Sequence, residues 1–153
     1  MPGQFFLAVA AFIAKKGKLL VLKRSPYRDH EPGCWETVSG RLEQNIKNVK
    51  SELLREIREE LGSDFQCQVI APFGTYNFYR CRDKSQEHIG IDYICRYTSG
   101  IITLSQEHSE YRWIDPREFT DFKANDSLIN KVRLFTKVRS WYLRNGQTFR
   151  GYK

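Results

Sequence analysis

The chain has 153 residues, 41% of them hydrophobic and 28% charged, and a formal net charge of +7. This length is enough to bury a core without disulfides or structural metals, and the composition excludes a repeat or low-complexity protein, so we expect one domain over residues 1–153. The four cysteines (Cys34, Cys67, Cys81 and Cys95) lie far apart without a C-x-x-C pair, which argues against a zinc site and a disulfide framework.

Two short apolar runs open the chain. Residues 5–13 are continuously apolar, but this run is about half as long as a membrane span and follows no basic residue. The basic turn at residues 15–18 separates it from a second run at residues 19–23, and the pair predicts a β-hairpin. No targeting signal remains, so we expect a cytoplasmic protein without a membrane partner.

A strand and a helix follow in the middle of the chain. A loop leads from residue 25 to a short strand at residues 34–38, and a helix is predicted over residues 49–61, which contain neither proline nor glycine. Asn48 is a good N-cap for it, and Gly62 is placed for a left-handed C-cap. Four apolar residues share one stripe of this helix and should face the core: Leu53, Leu54, Ile57 and Leu61.

The second half of the chain is expected to be strands and then a helix. Apolar and polar residues alternate over 66–82 and 88–98, which predicts two strands joined by a charged turn. Residues 101–104 and 111–114 are shorter strand candidates. A final helix is predicted over residues 127–144, with Asp126 as its cap and Asn145-Gly146 as its stop. This order predicts an α+β or α/β sandwich with a mixed sheet.

The positive charge is concentrated at the C-terminal end. Residues 123–153 hold eight basic residues and one acid, a surplus of seven that equals the whole net charge. Such a segment can bind nucleic acid or another anionic ligand, or it can be a solvated helix face. Four aromatic residues are interleaved with these charges: Trp141, Tyr142, Phe149 and Tyr152.

Three carboxylates on the middle helix carry the chemical signal. Glu56, Glu59 and Glu60 are spaced so that they share one face beside the apolar stripe, where like charges repel. A hard divalent cation such as Mg2+ would turn this repulsion into binding, and two such ions could assist displacement at phosphorus. Spacing alone also allows a solvated helix whose charges pair locally.

The same helix carries a specific resemblance. Residues 40–43 (GRLE) and 55–62 (REIREELG) resemble the Nudix box, commonly written G-x5-E-x7-R-E-U-x-E-E-x-G-U, where U is a bulky aliphatic residue. Residues 33–36 (GCWE) are similar to the family's lead-in to this box, and residues 107–116 are similar to its last strand with an acidic loop before it. The resemblance covers roughly residues 7–120.

The first half of the box departs from the pattern. Counting back from Arg55 places Arg41 and Lys47 where glycine and glutamate are expected, so aligning Gly40 implies one extra residue in the following loop. Ser39 also replaces the first of two usual glycines. The early glutamate, which in the family mainly supports the box arginine, then has no clear counterpart. Glu43 and Glu52 are both open as substitutes.

The resemblance implies an α/β/α sandwich and a metal-dependent hydrolase. Glu56, Glu59 and Glu60 would ligate Mg2+, or Mn2+ as a substitute, and Arg55 would orient them. The backbone carbonyl of Ser39 or Gly40 would add a ligand. The substrate would contact Ser39, Gly40 and the aromatic Trp35.

The attacking water needs a general base, for which Glu56, Glu107 and Glu110 are candidates. We favour Glu56, with Glu110 as an additional ligand. The neighbouring His108 is expected to be an exposed loop residue. Tyr76, Phe78 and Tyr79, with Trp35, could stack on a base or pack in the core.

The expected substrate is a small-molecule nucleotide. The default is a nucleoside triphosphate, oxidised ones included, cleaved to a monophosphate and pyrophosphate. One alternative is an RNA 5′-end pyrophosphohydrolase. Another is a non-catalytic nucleotide or nucleic-acid binding module that uses the basic C-terminal segment. The sequence leaves the oligomeric state open.

Overall fold

The structure is a computed structural model that describes residues 3–79 and 84–144. Strands dominate its first part, one helix lies in the middle and one at the end. The elements in chain order are β1 (Phe6–Lys15), β2 (Lys18–Arg24), β3 (Trp35–Glu36), β4 (Val38–Arg41), α1 (Val49–Leu61), β5 (Gln66–Tyr79), β6 (Glu87–Ser99), β7 (His108–Ile114), a 3-10 helix (Pro116–Asp121) and α2 (Asp126–Arg144).

The seven strands form one mixed sheet. Its order is β3-β2-β1-β6-β5, with β4 paired to β1 and β7 paired to β2. The β1–β6 pair is parallel, and the other pairs are antiparallel. Ala8 of β1 lies opposite Arg41, and Phe6 lies opposite His88. The beginning of β1 therefore lies between the end of β4 and the beginning of β6, and this is where a cleft opens.

The two faces of the sheet carry separate hydrophobic clusters. Val9, Ala11 and Ile13 of β1 pack on the side of α1, and Ala10 and Phe12 pack on the side of α2. Successive residues of a strand point to opposite faces, so a strand covered on both sides reads as a continuous apolar run. This explains why residues 5–13 are almost entirely apolar. The mixed sheet with flanking helices that we expected is confirmed.

Helix α1 has the predicted limits and the predicted N-cap, because the side chain of Asn48 accepts a hydrogen bond from the Ser51 amide at 2.8 Å. Gly62 ends the helix with a positive φ of 90°, but its ψ of 158° lies outside the left-handed helical region that we predicted. Leu53, Ile57 and Leu61 of the predicted stripe are fully buried, while Leu54 packs at its edge.

Helix α2 is capped one residue earlier than expected. The Asn125 side chain accepts from the Leu128 amide at 2.8 Å, and the Asn125 carbonyl accepts the first helical hydrogen bond, from Ile129. Asn125 therefore has the geometry of the N-cap. Asp126, which we predicted as the cap, lies in the first turn. The predicted stop at residues 145–146 lies outside the described residues, as does Cys81.

Two strand predictions were wrong. Residues 34–38 divide into β3, which pairs with β2, and β4, which pairs with β1. Residues 101–104 form no strand, because this segment packs alongside the C-terminal end of α1 and bonds to it. There the Thr103 amide donates to the Leu61 carbonyl at 2.8 Å, and the Ser105 amide donates to the Glu60 carbonyl at 3.1 Å. These bonds satisfy carbonyls that a helix end leaves free.

Within the described part of the chain, neither helix has the length and apolarity needed to cross a membrane.

Candidate active site

Arg55 binds three carboxylates of α1 at once. Its Nε donates to Glu52 at 2.9 Å, one terminal nitrogen donates to Glu59 at 2.6 Å, and the other donates to Glu56 at 2.8 Å. The helix places Glu52 and Glu59 one turn to either side of the arginine, which brings all three acids within reach. The hydrogen bonds that Arg55 donates to Glu59 and Glu52 raise the pKa of its guanidinium. The arginine thus fixes the orientation of two of the three predicted metal ligands.

Glu60 is the buried member of the acidic cluster, with 5% of its surface exposed. Its Oε1 accepts a weak hydrogen bond from the Ser39 amide at 3.4 Å, and its Oε2 has no hydrogen-bond partner among the described residues. Burial, followed by the negative charge of Glu36, raises the pKa of Glu60 well above its ordinary value. A buried acceptor without a donor is costly, so this atom marks a place for a proton or a cation.

His108 is buried beside Glu60, which contradicts the expectation of an exposed loop residue. Its Nε2 lies 2.8 Å from Glu36 Oε1, and Arg24 donates to both oxygens of Glu36 at 2.9 Å. Because Glu36 accepts, Nε2 donates to it, and Nδ1 faces Glu60 Oε2 at 3.9 Å; an imidazole with one hydrogen would carry a lone pair at Nδ1. Two acceptors, His108 Nδ1 and Glu60 Oε2, would then face each other, and a proton or a cation between them would remove the repulsion.

Gly40 lies directly against Glu56. A Cβ atom added at Gly40 would lie 2.1 Å from the carboxylate carbon of Glu56, far inside van der Waals contact. Only a residue without a side chain lets β4 pass this close to α1. Burial raises the pKa of Glu56, and the charge of Arg55 partly offsets that increase.

A cleft of about 560 Å³ joins this acidic cluster to an aromatic wall. Its floor at the α1 end is formed by Ser39, Gly40 and Glu56. The remaining lining residues among those described are Ala8, Arg24, Tyr27, Arg28, Asp29, His30, Arg41, Tyr76, Phe78, Tyr79, His88 and Glu107. The cleft therefore combines carboxylates, arginines and aromatic rings, the three groups that a nucleotide with a cation requires.

The comparisons with known proteins decide the family. The NUDIX domain model matches residues 5–135, which is most of the chain. The chain belongs to the Nudix family. The expected enzyme class, a hydrolase acting on acid anhydrides, is confirmed by this match together with the relatives that follow.

Similar proteins support the Nudix assignment in sequence and in fold. The nucleoside triphosphatase NudI of Salmonella arizonae is 30% identical over 132 residues, covering 82% of this chain and 93% of that protein. The MutT protein from Methanosarcina mazei Go1 superposes with a TM-score of 0.73 at 22% identity, over 92% of this chain and 98% of that one. A Nudix hydrolase from Nitrosomonas europaea superposes with a TM-score of 0.70 at 18% identity, over 97% of this chain and 100% of that one.

The structure resolves the altered first half of the Nudix box. Gly40 is the glycine that approaches the helix, as the shifted alignment implies, and Arg41 lines the cleft. Lys47 and Glu43 are exposed in the loop before α1. Glu52 holds the box arginine in place of the missing early glutamate. Since Glu52 precedes that arginine by one helical turn, the partner comes from the helix itself rather than from the loop.

Two predicted site residues lie elsewhere. Glu110 of β7 pairs with Arg112 at 2.6 Å and Lys23 at 3.8 Å, outside the cleft, whereas Glu107 lines it. Trp35 is 7% exposed and packs edge-on against Phe122, so its ring faces the core instead of a substrate. The pairing of β7 with β2 directs Glu110 toward the lysine.

Three further residues of the site were not predicted from the sequence. Arg24 and Glu36 form the ion pair that holds His108, and only tertiary contacts across the sheet bring them together. Tyr27, 92% exposed, lies on the cleft-lining loop between β2 and β3. The one signal for it was an aromatic residue in a proline-containing loop.

The ligand atoms of this cluster are of the type that binds a hard divalent cation. Among the described residues, however, no three His, Cys, Asp or Glu side chains are arranged closely enough to form a metal site. Glu56 and Glu59 are turned to Arg55. The donor atoms available are carboxylate oxygens, the ligands that Mg2+ prefers, and the unpartnered Glu60 Oε2 supplies a further one.

Proposed function

We propose that this Nudix enzyme is a metal-dependent nucleoside triphosphate pyrophosphohydrolase that releases a nucleoside monophosphate and pyrophosphate. The observation that carries the proposal is the cleft itself, with the Glu56 carboxylate of α1 at one end and an aromatic wall at the other. The similarity to NudI of Salmonella arizonae, a nucleoside triphosphatase, supports the same substrate class.

The carboxylates would hold the cation. Glu56, Glu59 and Glu60 are the proposed side-chain ligands, and the backbone carbonyl of Ser39 or Gly40 would add another. Mg2+, or Mn2+ in its place, neutralises charge on the phosphate oxygens when bound. Arg55 holds Glu56 and Glu59 together at one side of the helix, where both carboxylates could face the same cation.

Water attack requires a proton acceptor. We assign this role to Glu56, which lines the cleft against Gly40, with Glu107 as the acid contributed by the loop before β7. Glu107 takes the place that we first gave to Glu110. It is held by Arg28 at 3.2 Å, a cleft residue from the opposite loop.

The rest of the cleft suits the rest of the substrate. Arg24, Arg28 and Arg41 line it and can pair with phosphate oxygens. Tyr76 and Phe78, whose ring centroids lie 5.6 Å apart, line the cleft together with Tyr79 and give it an aromatic wall against which a base could pack.

The proposed location is the cytoplasm. The described cysteines (Cys34, Cys67 and Cys95) are free thiols. Free thiols fit a reducing compartment.

The test is pyrophosphate and phosphate release from a panel with and without Mg2+. The panel spans nucleoside triphosphates, oxidised triphosphates, dinucleoside polyphosphates, ADP-ribose and 5′-triphosphorylated RNA. We expect metal-dependent pyrophosphate release from triphosphates, reduced by orders of magnitude in Glu59→Gln and Glu60→Gln. Glu43→Gln, an exposed glutamate of the same loop–helix unit, is the matched control and should match the wild type.

Other outcomes are equally informative. Turnover confined to 5′-triphosphorylated RNA would replace the proposal with RNA 5′-end hydrolysis. Absence of turnover together with salt-sensitive binding of a generic oligonucleotide would replace it with a binding module.

A further inference from the structure

We propose that His88 is a specificity-determining residue whose Nε2 accepts a hydrogen bond from an N–H group on the edge of the nucleobase. The proposal rests on the nucleotide function above and names the part of the substrate that this end of the cleft selects. It starts from an atom that the fold leaves without a partner.

The His88 ring is held between two aromatic rings. Phe6 stacks on it with centroids 5.1 Å apart and planes at 24°, and Phe78 stacks with centroids 4.5 Å apart and planes at 23°. The residue is 0% exposed. Since both faces of the imidazole are covered, only its edge can take part in further contacts.

Hydrogen bonding fixes which edge atom is a donor. His88 Nδ1 lies 3.1 Å from the Gln86 carbonyl oxygen, which can only accept, so Nδ1 carries the hydrogen. In the neutral ring Nε2 then presents a lone pair. This atom is buried and has no hydrogen-bond partner in residues 3–79 and 84–144. A buried acceptor left unpaired weakens a fold, so its retention indicates a ligand that supplies the donor.

The surroundings place this atom beside the nucleotide. His88 lines the same cleft as Glu56 and belongs to the aromatic wall with Tyr76 and Phe78. Gly90, two residues along β6, leaves room for the Tyr76 ring, because a Cβ atom there would fall inside that ring. The wall is thus built flat against the strand, and its polar edge is His88.

The chemistry defines the ligand class. Because Nε2 accepts, it selects a planar heterocycle that presents an exocyclic amino group or a ring N–H. It cannot bond to an unprotonated ring nitrogen or a carbonyl oxygen, since both are acceptors too. Phe6 and Phe78 are 45% and 36% exposed, so the two rings that cover the faces of His88 border solvent. In our proposal one of them turns aside when the base enters.

The first experiment pairs a protein variant with substrate analogues. His88→Phe keeps a stacking ring and removes Nε2. Wild-type and variant kcat/KM are measured for ATP against purine riboside triphosphate, GTP against inosine triphosphate, and UTP against 3-methyluridine triphosphate, each second member lacking one donor. For the preferred base, we expect donor removal to lower the wild-type value about tenfold, as for a neutral hydrogen bond, and to change the variant by less than twofold.

Two results of this cycle would overturn the proposal. One is a variant with unchanged kcat/KM on every substrate. The other is an equal loss on intact and donor-deleted substrates, which would show that His88 only supports packing.

The second experiment uses the wild type and needs no catalysis. Nitrogen-15 NMR of the imidazoles is simple to assign because the chain has three histidines. Nucleoside monophosphate, added without metal, should shift the Nε2 resonance of His88, as expected when a lone pair accepts a hydrogen bond. If no triphosphate is hydrolysed but this shift occurs, the proposed function fails and the His88 site stands. Binding without the shift would refute the His88 site alone.

Discussion

The contact between Gly40 and Glu56 permits a quantitative prediction for Gly40→Ala. The added Cβ would lie 2.1 Å from the Glu56 carboxylate carbon, whereas ordinary contact begins at 3.4 Å, so the carboxylate must move by about 1.3 Å. A displacement of about 1 Å at a reacting group lowers the rate by about 100-fold. We therefore expect kcat/KM for a triphosphate to fall about 100-fold, equivalent to about 2.7 kcal/mol of transition-state stabilisation.

The same substitution should spare the fold. The group that must move is the end of a flexible side chain, and the φ of Gly40 lies outside the left-handed region, so alanine introduces no backbone strain there. Thermal denaturation should give a midpoint close to that of the wild type. Gly74→Ala is the matched control, because its Cβ would meet no atom closer than 3.6 Å. Activity of Gly40→Ala within threefold of the wild type would refute this account of the site.

Three further predictions concern other contacts. Glu52→Gln removes a charged partner of the box arginine and should lower kcat/KM about tenfold, whereas Glu43→Gln should not; equal effects would contradict the assignment of Glu52. Burial raises the pKa of Asp92 from 3.8 to about 6, so the folded state binds its proton more tightly than the unfolded chain. Protonated Asp92 therefore contributes about 3 kcal/mol to the free energy of unfolding below pH 3.8, and this contribution is lost as the pH rises through 6. Urea unfolding at several pH values should show that the free energy of unfolding falls less steeply with pH in Asp92→Asn than in the wild type. Parallel pH curves for the two proteins would contradict this. Asn125→Ala should lower the free energy of unfolding by about 1 kcal/mol through loss of the α2 cap, and an unchanged value would show that the Leu128 amide finds another acceptor.

Local signals in the sequence predicted the middle of the molecule well. Helix α1 was predictable because its cap, its stop and its apolar stripe all lie within the segment itself. The register of the altered box was predictable through Gly40, since a glycine is required wherever β4 approaches the helix. The continuous apolar run of β1 indicated a strand, although its burial on both faces became clear only from the sheet order.

Contacts between distant segments account for the failures. Residues 101–104 form no strand, and the Thr103 amide bonds to the end of α1, a contact that no periodicity reveals. Whether Glu107 or Glu110 faces the cleft depends on how β7 pairs with β2, which the sequence does not reveal. The acidic neighbours of His108 in the sequence predict an exposed side chain. Its burial depends instead on Glu36, which lies 72 positions away in the sequence.

The central position of β1 affects the order in which the chain can assemble. Its parallel partner β6 follows more than 70 residues later, so during synthesis β1 emerges from the ribosome long before one of its edges can be paired. The hairpin with β2 protects only the last residues of β1. Until Ser99 has been added, a nascent chain therefore carries an open, strongly apolar strand edge, the kind of surface that promotes aggregation and recruits chaperones.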